Sequence, residues 1–301
     1  MLLLFSTVKV FSSLKLGAHI PISRGYLSAV AKAKEWQAEV MQIFVNNPQA
    51  WKPLPFSKEE LSEAGLEAKK ANIDIYIHSI YLTNLCSYNP YFLEASKFSL
   101  IDSFKKAFYL QAKGVITHIG SFKGTTLQEA IKTASISIKE VLEKREVDID
   151  LILETSAGAG NIIGDDISEI AKIFEKVNHP SLKLALDSAH LYASGYDLKK
   201  EEGIKTLLES IKTYIGLDKL AVWHLNDTNI ALGEHKDRHE IIGRGLLGEE
   251  TFRKILSFKE FAGLPGIIET PDIDFNLQEV PSLKILQELK KGVQKCLNCQ
   301  K

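Results

Sequence analysis

Residues 150–187 read DLILETSAGAGNIIGDDISEIAKIFEKVNHPSLKLALD. An apolar run ending at Glu154 and Thr155 gives way to a polar stretch, then to Ile, Ala and Phe at helical spacing, then to a second apolar run closed by Asp187. This is a strand, a helix and a strand, and the unit recurs along the chain. Runs of the same kind are LKLGAHI near Ile20, EVMQIFV near Val45, IDIYIH at His78, GVITHIG near Gly120, LAVWHLND at Asp227 and GIIET at Thr270, which makes eight in all. Intervening segments such as TLQEAIKTASISIKEVLEKR and EEGIKTLLESIKTYIG carry charge on one face and apolar residues on the other, as amphipathic helices do. Nearly unbroken apolar strands alternating with helices are parallel strands covered on both faces. The expected fold is α/β, a closed (β/α)8 TIM barrel in a single domain. An open doubly wound sheet shares the alternation, but the Gly-rich phosphate turn such sheets carry after strand one is missing.

The chain has 301 residues, 45% hydrophobic and 25% charged, with a net charge of −1, which is the profile of an ordinary globular protein. No Pro-rich, Gly/Ser-rich or highly charged linker divides it, so residues 15–285 are assigned to the barrel, 1–14 to an N-terminal extension and 286–301 to a C-terminal tail. The opening MLLLFSTVKVFSS lacks a basic start and meets Lys9 early, so it reads as neither a signal peptide nor a membrane span. Cys86, Cys296 and Cys299 are too few, and odd in number, for a disulfide framework. A reducing, cytoplasmic setting is expected, with no membrane contact. The terminal CLNC has half the spacing of a zinc ribbon without a second half, and reads as free thiols. Near-neutral charge weighs against a nucleic-acid partner unless bound cations supply the field.

A barrel places its chemistry at the C-terminal ends of its strands. Six consecutive runs end on or beside a metal-ligating side chain: His78, His118, Glu154, Asp187, His224 and Glu269. Their spacings of 40, 36, 33, 37 and 45 residues match one strand–helix unit per step, so all six should converge on one mouth. Each alone has an ordinary explanation, a histidine bonded to a backbone carbonyl or a carboxylate capping the next helix. Three carboxylates in one apolar mouth, however, repel one another unless cations neutralise them, and mixed imidazole and carboxylate donors suit zinc or manganese. A multinuclear metal site is expected. His190 in LDSAHLYASGYD, and Asp237 with His239 in HKDRHE, are further candidates just past strand ends. A solvated loop explains the latter pair equally well. His19 lines the mouth in this reading without binding metal, and His235 is exposed.

The segments HSIYLTNL, THIGS, LILETSAGAGNIIG, LALDSAHLYASGYD, WHLNDTNIALGEHKDRHEIIGRG and GIIET resemble, in order and spacing, the motifs of the endonuclease IV family of abasic-site DNA repair enzymes. The resemblance runs from GAHI to the last strand. It implies a three-zinc enzyme that hydrolyses the phosphodiester 5′ to apurinic or apyrimidinic sites in double-stranded DNA. The products would be a 3′-hydroxyl and a 5′-deoxyribose phosphate, and blocked 3′ ends would also be trimmed. By the same resemblance His78, His118 and Glu154 hold a first zinc, and Glu154, as the catalytic bridge, shares a second with Asp187, His224 and Glu269. His190, Asp237 and His239 hold the third, with manganese an alternative at one position. Three dications against four carboxylates leave the mouth positive, which removes the objection from net charge.

For DNA contact the resemblance points to Tyr81, an aromatic inserted near the lesion; Gln49 and Trp51 on the loop after strand two, and the loop cation Arg238, are further candidates. The chain departs from the family at four positions. Gln49 and Ala50 replace a large polar pair before Trp51, Phe122 stands where a second histidine is usual, and Asn229 where a lysine is usual. None is a metal ligand. A monomer is expected. The rival reading is a xylose-isomerase-like sugar isomerase or epimerase, whose four-ligand set Glu154, Asp187, His224 and Glu269 also resemble; the surplus donors His78, His118, His190, Asp237 and His239 favour the nuclease. A non-catalytic DNA-damage binder is a third possibility, disfavoured by the complete ligand sets.

Overall fold

Eight parallel strands pair in chain order and close on themselves, β1 (Lys15–His19) lying between β2 (Val40–Phe44) and β8 (Pro265–Ile268). Between them run β3 (Asp74–His78), β4 (Gly114–Thr117), β5 (Asp150–Glu154), β6 (Leu182–Asp187) and β7 (Leu220–His224). This computed structural model describes residues 14–299. Helices α1 (Tyr26–Glu35), α2 (Lys58–Lys70), α3 (Pro90–Leu110), α4 (Leu127–Lys144) and α5 (Ile167–Val177) each lead from one strand to the next. After β6 come the short α6 (Ser188–Ser194) and α7 (Glu201–Tyr214), then α8 (Gly248–Ser257) after β7 and α9 (Pro281–Cys299) after β8. The closed single-domain barrel read from the sequence is the observed fold. No helix among the described residues is long and apolar enough to cross a membrane.

Alternation along the strands divides the core in two. Outward side chains pack with the helices, while Val40, Tyr76, Ile116, Ile152, Ala185, Val222 and Ile267 fill the barrel interior as a cluster of their own. Gly17 belongs to this tight interior, because its backbone approaches the Val40 carbonyl too closely to admit a Cβ. Two residues further along, the same face presents Gln42, His78, His118, Glu154, Asp187, His224 and Glu269. The apolar plug is thus the floor beneath the polar mouth.

One irregularity positions the mouth. Leu184 pairs with Leu220, but Ala185 pairs with Val222 and Asp187 with His224, so β7 carries one extra residue at Ala221. The bulge turns Val222 and His224 inward and sends Trp223 outward, onto Phe261 at 5.0 Å between ring centroids. A one-residue slip would exchange the two faces of the strand.

At the chain ends, Leu14 is buried, and residues 1–13 of the expected extension lie outside the described residues, as do Gln300 and Lys301. The boundary expected at residue 285 falls inside α9, whose Leu286, Leu289 and Val293 are buried in the core. Those three residues at helical spacing form an apolar stripe that docks the segment. Cys296 of the CLNC stretch lies on this helix as an exposed free thiol, and Cys86 is free and buried.

Candidate metal centre

His78, Glu154, Asp187 and His224 are the last residues of β3, β5, β6 and β7, and His118 and Glu269 stand one residue beyond β4 and β8. Glu154 lies at the centre. Its Oε2 is 3.1 Å from His78 Nε2 and 3.5 Å from His118 Nε2, while its Oε1 is 2.9 Å from His224 Nδ1. The two oxygens of one carboxylate therefore face different imidazoles. Asp187 also has two uses. Its Oδ1 accepts the His190 backbone N–H at 2.9 Å and caps α6, and its Oδ2 lies 3.7 Å from His239 Nε2. Helix capping and a place in the cluster coexist in one side chain.

The candidates beyond the strand ends join the same cluster. His190 sits on α6, and Asp237 Oδ1 comes within 3.3 Å of its Nε2 and 3.5 Å of His239 Nε2. Three sets of donor atoms lie within 4.8 Å of one another: His78, His118 and Glu154; Glu154, Asp187, His224 and Glu269; and Asp187, His190 and His239. The third set includes Asp187, with Asp237 approaching from the open side. His19 is also in the mouth, 3.4 Å from Glu269 Oε1. His235 is exposed and lies 3.5 Å from Asp165, away from the cluster.

Ring orientation tests whether these donors suit a cation. One nitrogen of His78, His190 and His239 donates to the carbonyls of Ser79, Thr155 and Glu269, at 2.8, 2.9 and 3.2 Å. His224 Nε2 donates to Gln42 Oε1 at 2.9 Å. In all four rings the other nitrogen points into the cluster, as metal-ligating histidines do. His239 Nε2 is buried there with no hydrogen-bond partner. The donor set fits divalent zinc or manganese.

Electrostatics give the same answer. Burial favours the neutral imidazole, but Glu269 and Glu154 outweigh it and push His224 up to about 9. His190 is raised well above its ordinary value against the same desolvation, by Asp187, Asp237 and Glu154. Burial opposes charge on the carboxylates as well, yet the surrounding imidazoles hold Glu154 and Glu269 well below the usual range, and His190 and His239 hold Asp237 down to about 2. Without cations, protons on the rings neutralise the carboxylates. A divalent cation does so with more charge and with directional bonds.

Three supporting residues were not singled out in the sequence. Gln42 is fully buried, and its amide joins His19 Nδ1 (2.9 Å), Glu269 Oε1 (2.5 Å) and His224 Nε2. Asn226 donates to Asp187 Oδ2 at 2.6 Å and accepts the Glu269 N–H at 2.7 Å. Asp227 accepts backbone N–H groups from Thr228, Gly243, Gly245, Leu247 and Gly248, which folds the loop carrying Asp237 and His239. A signal existed for Gln42: a lone amide in an apolar strand, two residues past an inward-facing valine.

The mouth opens as a cavity of about 500 Å3 lined by His19, Phe44, Tyr81, Arg238 and the donors His78, His118, His190, Asp237, His239 and Glu269, with Glu154, Asp187 and His224 buried beneath them. Tyr81 and Arg238 are therefore placed beside the donors, whereas Gln49 and Trp51 lie on the loop after β2 and do not line it. Phe122 packs against the core, and Asn229 donates to Glu240 at 2.5 Å.

Fold and donors define a TIM barrel with several metal-ligating groups at its C-terminal mouth. The family described as xylose isomerase-like TIM barrel matches residues 30–294. A Natranaerobius thermophilus protein named "Probable endonuclease 4" is 33% identical over 282 residues, covering 93% of this chain and 98% of that one. The crystal structure of endonuclease IV from Thermus thermophilus superposes with a TM-score of 0.79 at 26% identity, covering 93% and 99% of the two chains. D-psicose 3-epimerase from Clostridium cellulolyticum shares the fold alone, at a TM-score of 0.65 and 16% identity over 94% and 98%. The chain belongs to the endonuclease IV family within the xylose isomerase-like TIM barrels.

Proposed function

We propose that the chain incises DNA on the 5′ side of abasic sites, leaving a 3′-hydroxyl and a 5′-deoxyribose phosphate, and that it also removes groups blocking 3′ ends. The observation that carries this reading is the crowding of nine donors into one mouth, with four imidazole nitrogens turned inward. Four donors would serve a single-cation sugar epimerase; the surplus on β3, just past β4, on α6 and on the loop after β7 has no use there. Zinc would be held at three positions. His78, His118 and Glu154 form the first, Glu154, Asp187, His224 and Glu269 the second, and His190, His239 and Asp237 the third, with Asp187 within reach of the last. Manganese is the alternative at one of them. Bound there, the cations supply acidified water and Lewis-acid stabilisation of the phosphate and the departing oxygen.

The protein's own part is positional. Glu154 holds two donor groups in register through its two oxygens, and Gln42 fixes which nitrogen of His224 faces them. Arg238 stands at the cavity edge for a DNA phosphate, and Tyr81 for the space left by the missing base. Gln49 and Trp51 extend the contact along the strand. The chain would act as a cytoplasmic monomer.

The test is a duplex with one abasic analogue, incubated with the chain before and after chelation, and with an Asp237→Ala variant. Expected is 5′ incision that chelation abolishes and the variant cripples. Interconversion of ketose sugars without strand cutting would overturn the proposal, and a metal content well below three per chain would remove its basis.

A further inference from the structure

Beside the mouth, on the side formed by the loops after β2, β3 and β4, several large rings stand in solvent. Tyr88 is 71% exposed, Tyr91 68% and Phe92 43%. Trp51 stacks on Phe92 with centroids 6.1 Å and planes 22° apart, and Tyr91 meets Phe92 edge-on at 5.4 Å. The backbone holds them in place. Asn89 caps α3, Pro90 occupies its first turn, and Tyr91 and Phe92 follow directly. Tyr88 rests on bare backbone, since a Cβ at Gly124 would lie 2.8 Å from its ring.

The loop that carries Trp51 is linked to the donor cluster by way of Tyr81 and Phe44. Tyr81 donates its backbone N–H to Pro48 at 2.9 Å, joining the Tyr81 loop to the loop that carries Trp51. Tyr81 lies edge-on to Phe44 at 5.2 Å, and Phe44 to His78 at 5.5 Å. Exposed Lys52 and Lys123 stand next in sequence to Trp51 and to the Gly124 under Tyr88.

We infer that Trp51, Tyr88, Tyr91 and Phe92 form a ledge that stacks the unpaired nucleobases of a DNA strand entering the mouth. The inference deepens the proposed function and rests on it for the strand's presence. A protein groove would be served as well by aliphatic side chains. Flat rings flanked by lysines instead match the two faces of nucleic acid chemistry, the π-surface of a base and the charge of its phosphate. Paired bases in a duplex hide their faces from a protein surface, and only unpaired ones offer them. The ledge therefore selects single-stranded or frayed DNA beside the incised bond, a preference distinct from recognition of the abasic sugar.

Binding of a labelled, undamaged dT12 strand to the zinc-loaded chain, read by fluorescence anisotropy, tests this. The double variant Tyr91→Ala, Phe92→Ala should bind dT12 about tenfold more weakly, with an unchanged salt slope, because stacking is lost and ion pairs are not. Its affinity for a 12-base-pair undamaged duplex should change less than twofold. Phe98→Ala, an equally exposed ring two turns further along α3, should match the parent chain. Trp36 and Trp223 are buried, so quenching of tryptophan emission by dT12 should report on Trp51.

Unchanged dT12 binding in the double variant, or equal losses for strand and duplex, would overturn the ledge. So would a dimer in light scattering that the double variant converts to monomer, since the rings would then cover each other. Ring-dependent dT12 binding without abasic-site incision would leave the ledge standing and remove the nuclease. Incision with ring-independent dT12 binding would do the reverse.

Discussion

Six of the nine donors fall into two groups held by different physics. His78, Glu154, Asp187 and His224 end buried strands, where ladder register and the apolar plug beneath fix their positions. Asp237 and His239 ride a loop whose two ends the buried Asp227 carboxylate gathers through five backbone N–H groups, and whose middle Thr228 ties by donating to the Arg238 carbonyl at 2.6 Å. The strand-borne donors are rigid because the fold is rigid. The loop-borne ones are held by the hydrogen bonds that fold the loop, the Asp227 carboxylate foremost among them. Side-chain exposure follows the division: Asp237 is 53% exposed, Asp187 not at all. A barrel mouth thus offers a buried half that the scaffold defines and an open half that a phosphate can approach.

Removing the shared strand-borne carboxylate should have the largest effect. Glu154→Gln is expected to lower incision on the order of 10^4-fold, as when one member of a group acting as a unit is lost, while circular dichroism stays native. Incision within tenfold of the parent would show that the two oxygens are not a bridge.

Asp227→Asn attacks the other half. The amide presents one acceptor in place of two, leaving buried N–H groups unmatched, so a stability loss of about 3 kcal/mol is expected in urea unfolding. Metal analysis should then show one cation lost per chain and the others retained. Loss of every bound cation would mean that the halves are not separable.

Gln42→Met keeps the volume and removes the amide between His224 and Glu269. Competition with a zinc chelator should show affinity at the strand-borne site falling about 10- to 100-fold, the usual effect of losing an outer partner of a metal-bound histidine. No change would leave Gln42 a packing residue.

The smallest effect is a pH dependence. His224 in the cation-free chain is raised to about 9, so its stabilising charge is fully present below the ordinary value of about 6.5 and is lost as pH climbs through about 9. The cation-free chain should lose stability over that window. Cation binding should strengthen with pH over the same window and release protons. Calorimetry at pH 8 in buffers of different ionisation enthalpy checks this, and equal heats in all buffers would contradict it.

Much of this was legible in the amino-acid order. Eight apolar runs at regular spacing gave the barrel, and the six strand-end donors followed from that spacing. Ile152 before Glu154, Ala185 before Asp187 and Val222 before His224 repeat one step of plug and donor. The loop donors were different. An extended DRH segment allows solvated charge as readily as ligation, and only the family resemblance separated the two.

By itself the sequence determined the strand count, the order of the donors and their common face, because a two-residue alternation along a buried strand is local and survives any arrangement of neighbours. The tertiary structure alone decided that Ala221 is an extra residue in β7, that Gln42 and Asn226 orient the donors, and that α9 docks rather than trails. Each depends on pairing between residues far apart in the chain, and such pairing leaves no periodic trace in the residues that make it.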